Sequence, residues 1–119
     1  MNVLSARLHG FLDLVVVAVF VLAPFLFGLG GYVAAVAWGL ALVHLLMTLF
    51  TRFPLGVVKV IPFPIHGAVE LVVGVVLVLA MPRLLRAGPG SPARTFFIDA
   101  GVAILVVWVL TRYRESPQP

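Results

Sequence analysis

Cysteine is absent from the 119-residue sequence. Disulfides, thiolate metal sites and cysteine nucleophiles are therefore excluded. Charge is scarce as well: Asp, Glu, Lys and Arg make up 10% of the residues, and only four of them are acidic. A soluble domain carries about 25% charged residues, so an ordinary water-soluble globular domain is excluded. Disorder is excluded by the opposite excess, 63% hydrophobic residues and a mean hydropathy of +1.23. No glycine-rich phosphate loop and no paired-cysteine motif is present. The length suits one domain.

What the chain does contain is long apolar runs. Residues 14–51 hold no charged side chain over 38 positions, roughly 57 Å as a single helix and nearly twice a bilayer core. The run must fold back, and Gly28-Leu29-Gly30-Gly31 supplies the turn. Spans are thus expected at about 8–27, 32–51 and 62–81, with a fourth bracketed by Arg94 and Arg112. The runs do not alternate polar and apolar as barrel strands do, so the fold class is an all-α membrane protein with four transmembrane helices. A signal peptide is not expected: the first run is too long, and Asp13 interrupts its start. Pro24 should kink or end the first helix. The glycine- and proline-containing segment 83–93 is expected to be a mobile loop, and the tail 115–119 to be unstructured.

Four spans put both termini on one side. That side holds Arg7, Arg52, Lys59, Arg112 and Arg114, against Arg83, Arg86 and Arg94 on the other. The excess favours cytoplasmic termini in the cell (inner) membrane. The net charge of +4 arises from cations at helix ends. They form no stripe, so the expected partner is the lipid bilayer and not nucleic acid.

The chain is also a tandem repeat. Residues 9–23 (HGFLDLVVVAVFVLA) and 66–80 (HGAVELVVGVVLVLA) are identical at nine of fifteen positions, with Asp13 matching Glu70. The second helices end alike, in Thr51-Arg52-Phe53 and Thr111-Arg112-Tyr113. Repeat one covers about 8–53 and repeat two about 62–113, each a helical hairpin. Two spans per repeat give both halves the same orientation, about an axis along the membrane normal.

The duplicated element carries the candidate site. His9 and Asp13 are four apart, as are His66 and Glu70, so each pair shares a helix face. His44 reaches a similar depth from the same side. Ionisable groups inside a membrane are costly and normally face a bundle interior or water. His9, Asp13, His44, His66 and Glu70 are therefore expected to form one polar cluster. Two classes of function fit. In the first, the pairs join helices within a non-enzymatic accessory or self-associating module, and the chain forms a homo-oligomer or joins a larger complex. In the second, the cluster binds a divalent metal or haem, or handles protons. Separation of His9 from His66 by more than ~12 Å would exclude a shared metal, because ligand bonds are only ~2 Å.

The remaining residues read more simply. Gly10 and Gly67 should let a neighbouring helix approach closely, and Gly39, Gly74 and Gly101 should be close-packing points. Tyr32, Trp108 and Tyr113 read as interface anchors and Trp38 as a packing residue. Asp99 lies at the opposite face, with Arg94 or Arg86 as its expected partner.

These residues resemble the SPW-repeat family of small bacterial integral membrane proteins, a duplicated two-helix unit. The matching positions are His9-Gly10 with Asp13, Ala23 to Gly28, Thr51, Gly56, Lys59, Ile61-Pro62, and His66 with Glu70 and Gly74. The name-giving Ser-Pro-Trp is replaced by Ala23-Pro24-Phe25 and by Ala80-Met81-Pro82, with the second proline one place late. The chain is thus similar to a divergent member. The resemblance implies the four-helix membrane fold and assigns no activity.

Overall fold

The computed structural model describes residues 3–111 and 113. Arg112, Arg114 and the tail 115–119 lie outside the described residues. Four helices are long and apolar enough to cross a membrane: α1 (Ala6–Phe27), α2 (Gly31–Leu49), α3 (Phe63–Leu84) and α4 (Pro92–Leu110). At 19 to 22 residues each, they measure roughly 28–33 Å, the thickness of a hydrocarbon core. Only 22–33% of each span is buried within the chain, so most of their apolar side chains are left to face lipid. The architecture is the expected one, with helix limits displaced by up to three residues. Ser5 and Ser91 set two of the starts, each accepting at 3.2 Å from the backbone N–H three residues on. Arg83, expected in a loop, belongs to the last turn of α3.

α1 packs along α2 and α3 along α4, giving two hairpins, whereas between hairpins the direct approach of helix backbones is slight and mainly α1 to α4. Gly74 and Gly101 bring α3 and α4 close: a Cβ on Gly101 would lie 2.9 Å from the Gly74 carbonyl oxygen. Gly39 has no such role and faces open space. Phe20, Ala23, Ala37, Ala41, Leu77, Phe96, Phe97 and Ile104 form the apolar core.

The two hairpins end alike. Leu29 N–H donates to the Pro24 carbonyl at 3.0 Å, and Ala87 N–H donates to the Pro82 carbonyl at 2.8 Å. Both are the six-to-one bond of a Schellman cap. Gly28 takes the left-handed position in the first cap at φ 65°. Arg86 takes it in the second at φ 53°, the one non-glycine residue with positive φ among those described. Pro24 therefore sits in the last stretch of α1, and the helix stops three residues later. Pro82 is one residue further from its histidine than Pro24 is from His9. That extra residue is absorbed by a π-helical turn at Val76–Ala80, where the Met81 N–H reaches back to the Val76 carbonyl. Pro82 has no N–H to continue the α ladder, and the wider turn brings it back into phase, buried like Pro24.

At the opposite ends the halves exchange contacts. Leu4 N–H donates to the Leu110 carbonyl, and Arg52 N–H donates to the Ile61 carbonyl, at 2.8 and 2.7 Å. The flank of each first helix thus meets the end of a second helix, Leu4 beside Thr111 and Ile61 beside Thr51. Leu4 and Ile61 are 57 residues apart, the same offset as His9 and His66.

Candidate metal centre

The structure brings His9, Asp13, His44, His66 and Glu70 to one level, at the end of the bundle where the halves exchange contacts. His9, Asp13, His66 and Glu70 are 0–4% exposed and His44 is 8% exposed. His9 and His66 have ring centroids 5.5 Å apart, edge to face, well inside the limit for a shared ion. The pairs are not self-contained. His9 Nε2 lies 3.2 Å from Asp13 Oδ1 on its own helix and 2.9 Å from Glu70 Oε2 on the other hairpin. His66 Nε2 lies 2.9 Å from Glu70 Oε1 and 3.1 Å from Asp13 Oδ2. Each carboxylate is shared by both imidazoles. His44 Nε2 stands further out, 3.3 Å from Asp13 and 3.7 Å from Glu70.

The outer edges of the two rings are held in the same way. His9 Nδ1 is 2.8 Å from Thr111 Oγ1, and His66 Nδ1 is 2.7 Å from Thr51 Oγ1. Each hydroxyl donates its single proton to the carbonyl four residues back, Thr111 to Val107 at 2.6 Å and Thr51 to Met47 at 2.5 Å. The threonine oxygens can then only accept, so both Nδ1 atoms carry the proton that is donated. In a neutral imidazole this leaves Nε2 as a lone pair, and both lone pairs face the two carboxylates. One ligand atom from each of His9, Asp13, His66 and Glu70 lies within 4.8 Å of all the others. Despite the short distances, His9 Nε2 and Asp13 Oδ2 have no partner in hydrogen-bonding geometry. Buried polar atoms are nearly always satisfied, and an ion at the centre would satisfy both.

Aromatic rings close the end of the site. Phe53 packs on His66 and Tyr113 on His9, at centroid distances of 5.6 and 5.3 Å. The glycines after the histidines admit these rings: a Cβ would meet Phe53 at 2.9 Å from Gly10 and Tyr113 at 2.4 Å from Gly67. What approaches Gly67 is therefore an aromatic side chain, and Gly10 is approached by Phe53 and Leu55, not by the neighbouring helix. Tyr113, expected as an interface anchor, donates to Glu70 Oε2 at 2.8 Å. Burial, and next the Glu70 carboxylate, push its phenol pKa up. Thr51, Thr111 and Tyr113 are thus site residues that the sequence reading passed over as such. The signal was there, in the matching Thr-Arg-aromatic endings.

A haem does not fit. Its macrocycle would need the space around an iron held between His9 and His66, and Asp13 and Glu70 occupy it. The free volume beside the cluster is about 10 Å³, lined by Asp13, His44, Glu70 and Ile104 among others. That is room for one water-sized particle.

Asp99 stays apart from the cluster and is exposed on α4. Among the described residues it forms no ion pair, with Arg86, Arg94 or any other cation. Trp38 bonds through Nε1 to the Val21 carbonyl at 3.1 Å, and Tyr32 donates to the Leu85 carbonyl at 2.9 Å. No family model, curated protein or solved structure matches the chain.

Proposed function

We propose that this multi-pass membrane protein holds a divalent transition-metal ion between its two repeats, with His9 Nε2, Asp13, His66 Nε2 and Glu70 as ligands. The observation that carries this reading is the threonine-locked pair of imidazoles. Metal-binding histidines typically donate their second ring N–H to an outer oxygen, which fixes the tautomer, and both Nδ1 atoms are held so. Two carboxylates and two neutral imidazoles carry a charge of −2, which a divalent ion cancels in a place where water cannot. Imidazole nitrogen favours zinc, iron, copper or nickel over magnesium and calcium. A proton-handling cluster is less well supported, because it leaves His9 Nε2 and Asp13 Oδ2 without partners.

The role that follows is that of a non-enzymatic membrane module in the cell membrane, with cytoplasmic termini and with its halves joined by the metal. Self-association or entry into a larger complex follows from the small share of each helix buried within one chain. Kinship with the SPW-repeat family is proposed on the sequence motifs alone.

The test is elemental analysis of the purified protein by plasma mass spectrometry, beside a His9→Gln/His66→Gln double variant. Near-stoichiometric zinc, iron, copper or nickel, lost in the variant, is the expected result. A folded wild-type protein that takes up no metal even when supplied with each ion would overturn the proposal.

A further inference from the structure

Away from the metal centre, α1 and α4 also face each other toward the end of the bundle opposite the termini. Between them lies a groove of about 430 Å³, with Val19, Phe27, Phe96, Ala100 and Ala103 as apolar walls and Asp99 as its charged group. Pockets of 300–1,000 Å³ suit small organic molecules. Asp99 is the eighth residue of α4, roughly 10 Å along the helix from its start, and is therefore inside the span. An acidic side chain at that depth is costly and normally faces a partner or a cavity. The arginines expected as that partner do not pair with it.

The walls indicate what could. Phe27 and Phe96 lie 5.8 Å apart. Phe96 is further held against Phe20 and Phe97, at 5.4 and 5.1 Å, so the floor is a fixed aromatic surface. Aromatic faces attract organic cations. A bare metal ion would find one carboxylate and few other donors. A lipid tail would fill the apolar space and leave Asp99 uncompensated. Arg7, Arg83 and Arg94 all sit in the first or last turns of their spans, so among the described residues no span of a second copy carries a cation at the depth of Asp99.

We propose that the α1–α4 groove binds an amphiphilic organic cation, with an apolar body and one ammonium- or phosphonium-type charge, and that Asp99 is its counter-ion. This groove shares no residue with the metal centre.

Tetraphenylphosphonium is a suitable probe, measured by equilibrium dialysis against the full chain in lipid nanodiscs. Saturable binding near one per chain is expected, not displaced by the neutral triphenylphosphine oxide. Asp99→Asn, which only removes a charge from a span, should weaken binding at least tenfold. Ala103→Phe, which fills the groove and keeps the carboxylate, should do the same. Absence of saturable binding to the folded protein, or equal affinity in Asp99→Asn, would overturn the proposal. So would light scattering that shows a dimer dissociated by Asp99→Asn, since the groove would then be a subunit interface.

Discussion

The locked tautomers make a specific demand on two residues that would hold the ligands without touching the ion. Thr111→Val removes one hydroxyl, keeps the volume and branching of the side chain, and leaves His9 Nδ1–H without its 2.8 Å acceptor. The nearest substitute is the Tyr113 hydroxyl at 3.5 Å, which is already donating to Glu70. A buried donor left unsatisfied costs about 1–3 kcal/mol. Loss of such an outer-shell partner typically weakens metal binding about 10–100-fold, or about 1.4–2.7 kcal/mol, in addition to the cost in stability. Thr51→Val should cost the same for His66, because its hydroxyl is bound equivalently on the other repeat. Thr111→Ser should restore affinity. The assay is competition for zinc against a chromophoric chelator on detergent-purified protein, with circular dichroism as the check on folding. A folded Thr111→Val protein with wild-type zinc affinity would refute the assignment of the Nδ1 protons and, with it, the main support for the metal site.

Two further predictions follow from the caps and the aromatic cover. Arg86→Gly should stabilise the protein, because a left-handed non-glycine residue costs about 1–2 kcal/mol, against about 0.5–1 kcal/mol for the added freedom of glycine in the unfolded chain. The net gain of roughly 0–1.5 kcal/mol is read as a higher thermal midpoint in detergent, and a lower midpoint would contradict it. Tyr113 is one of only two tyrosines, so the alkaline absorbance difference between wild type and Tyr113→Phe isolates its titration. Because burial and the Glu70 carboxylate raise its pKa, the phenol should stay protonated through the ordinary tyrosine range near pH 10. A difference signal that titrates at that pH would show that Tyr113 is not seated over Glu70.

The four spans were legible because lipid demands a simple code. Long apolar runs, a Gly28–Gly31 turn and charges at the ends admit only a helical bundle. The site was legible in part, for a different reason: His9-x-x-x-Asp13 recurs as His66-x-x-x-Glu70 at a fixed offset, and two parallel hairpins bring the copies to one level. The exchanged partners were not legible. Nothing in local spacing says that His9 bonds to Thr111 and not to Thr51, since that choice depends on how the halves dock. The same is true of Tyr113, which reads as an interfacial aromatic until Gly67 is seen to make room for its ring. Arg86 was hidden by chemistry: the left-handed cap position usually holds glycine, and only alignment with Gly28 through the π-helical turn exposes it. The sequence neighbours of Asp99 do not become its partners: Arg94, five residues earlier, lies about 140° round the helix, and Arg86 precedes the helix start at Pro92.

One position breaks the repeat within the site. His44 precedes Thr51 by seven residues, and Ile104 precedes Thr111 by seven, so Ile104 is its counterpart. Both line the small cavity beside the carboxylates. His44→Ile therefore makes the two halves alike at this point, and it separates a four-ligand site from a five-ligand one. His44 stands 3.3 and 3.7 Å from the carboxylates and is not among the four residues whose ligand atoms converge. If the repeats alone build the site, His44→Ile should keep the metal at the same stoichiometry. Its affinity should fall by no more than about 10–100-fold, because one hydrogen bond to the Asp13 carboxylate is worth about 1.5–3 kcal/mol. His9→Gln, which removes a ligand, should lose the metal outright. Equal loss in both variants would mean that the ion is held off the pseudo-symmetry axis, on the His44 side, and that the duplicated motif supplies only part of its shell.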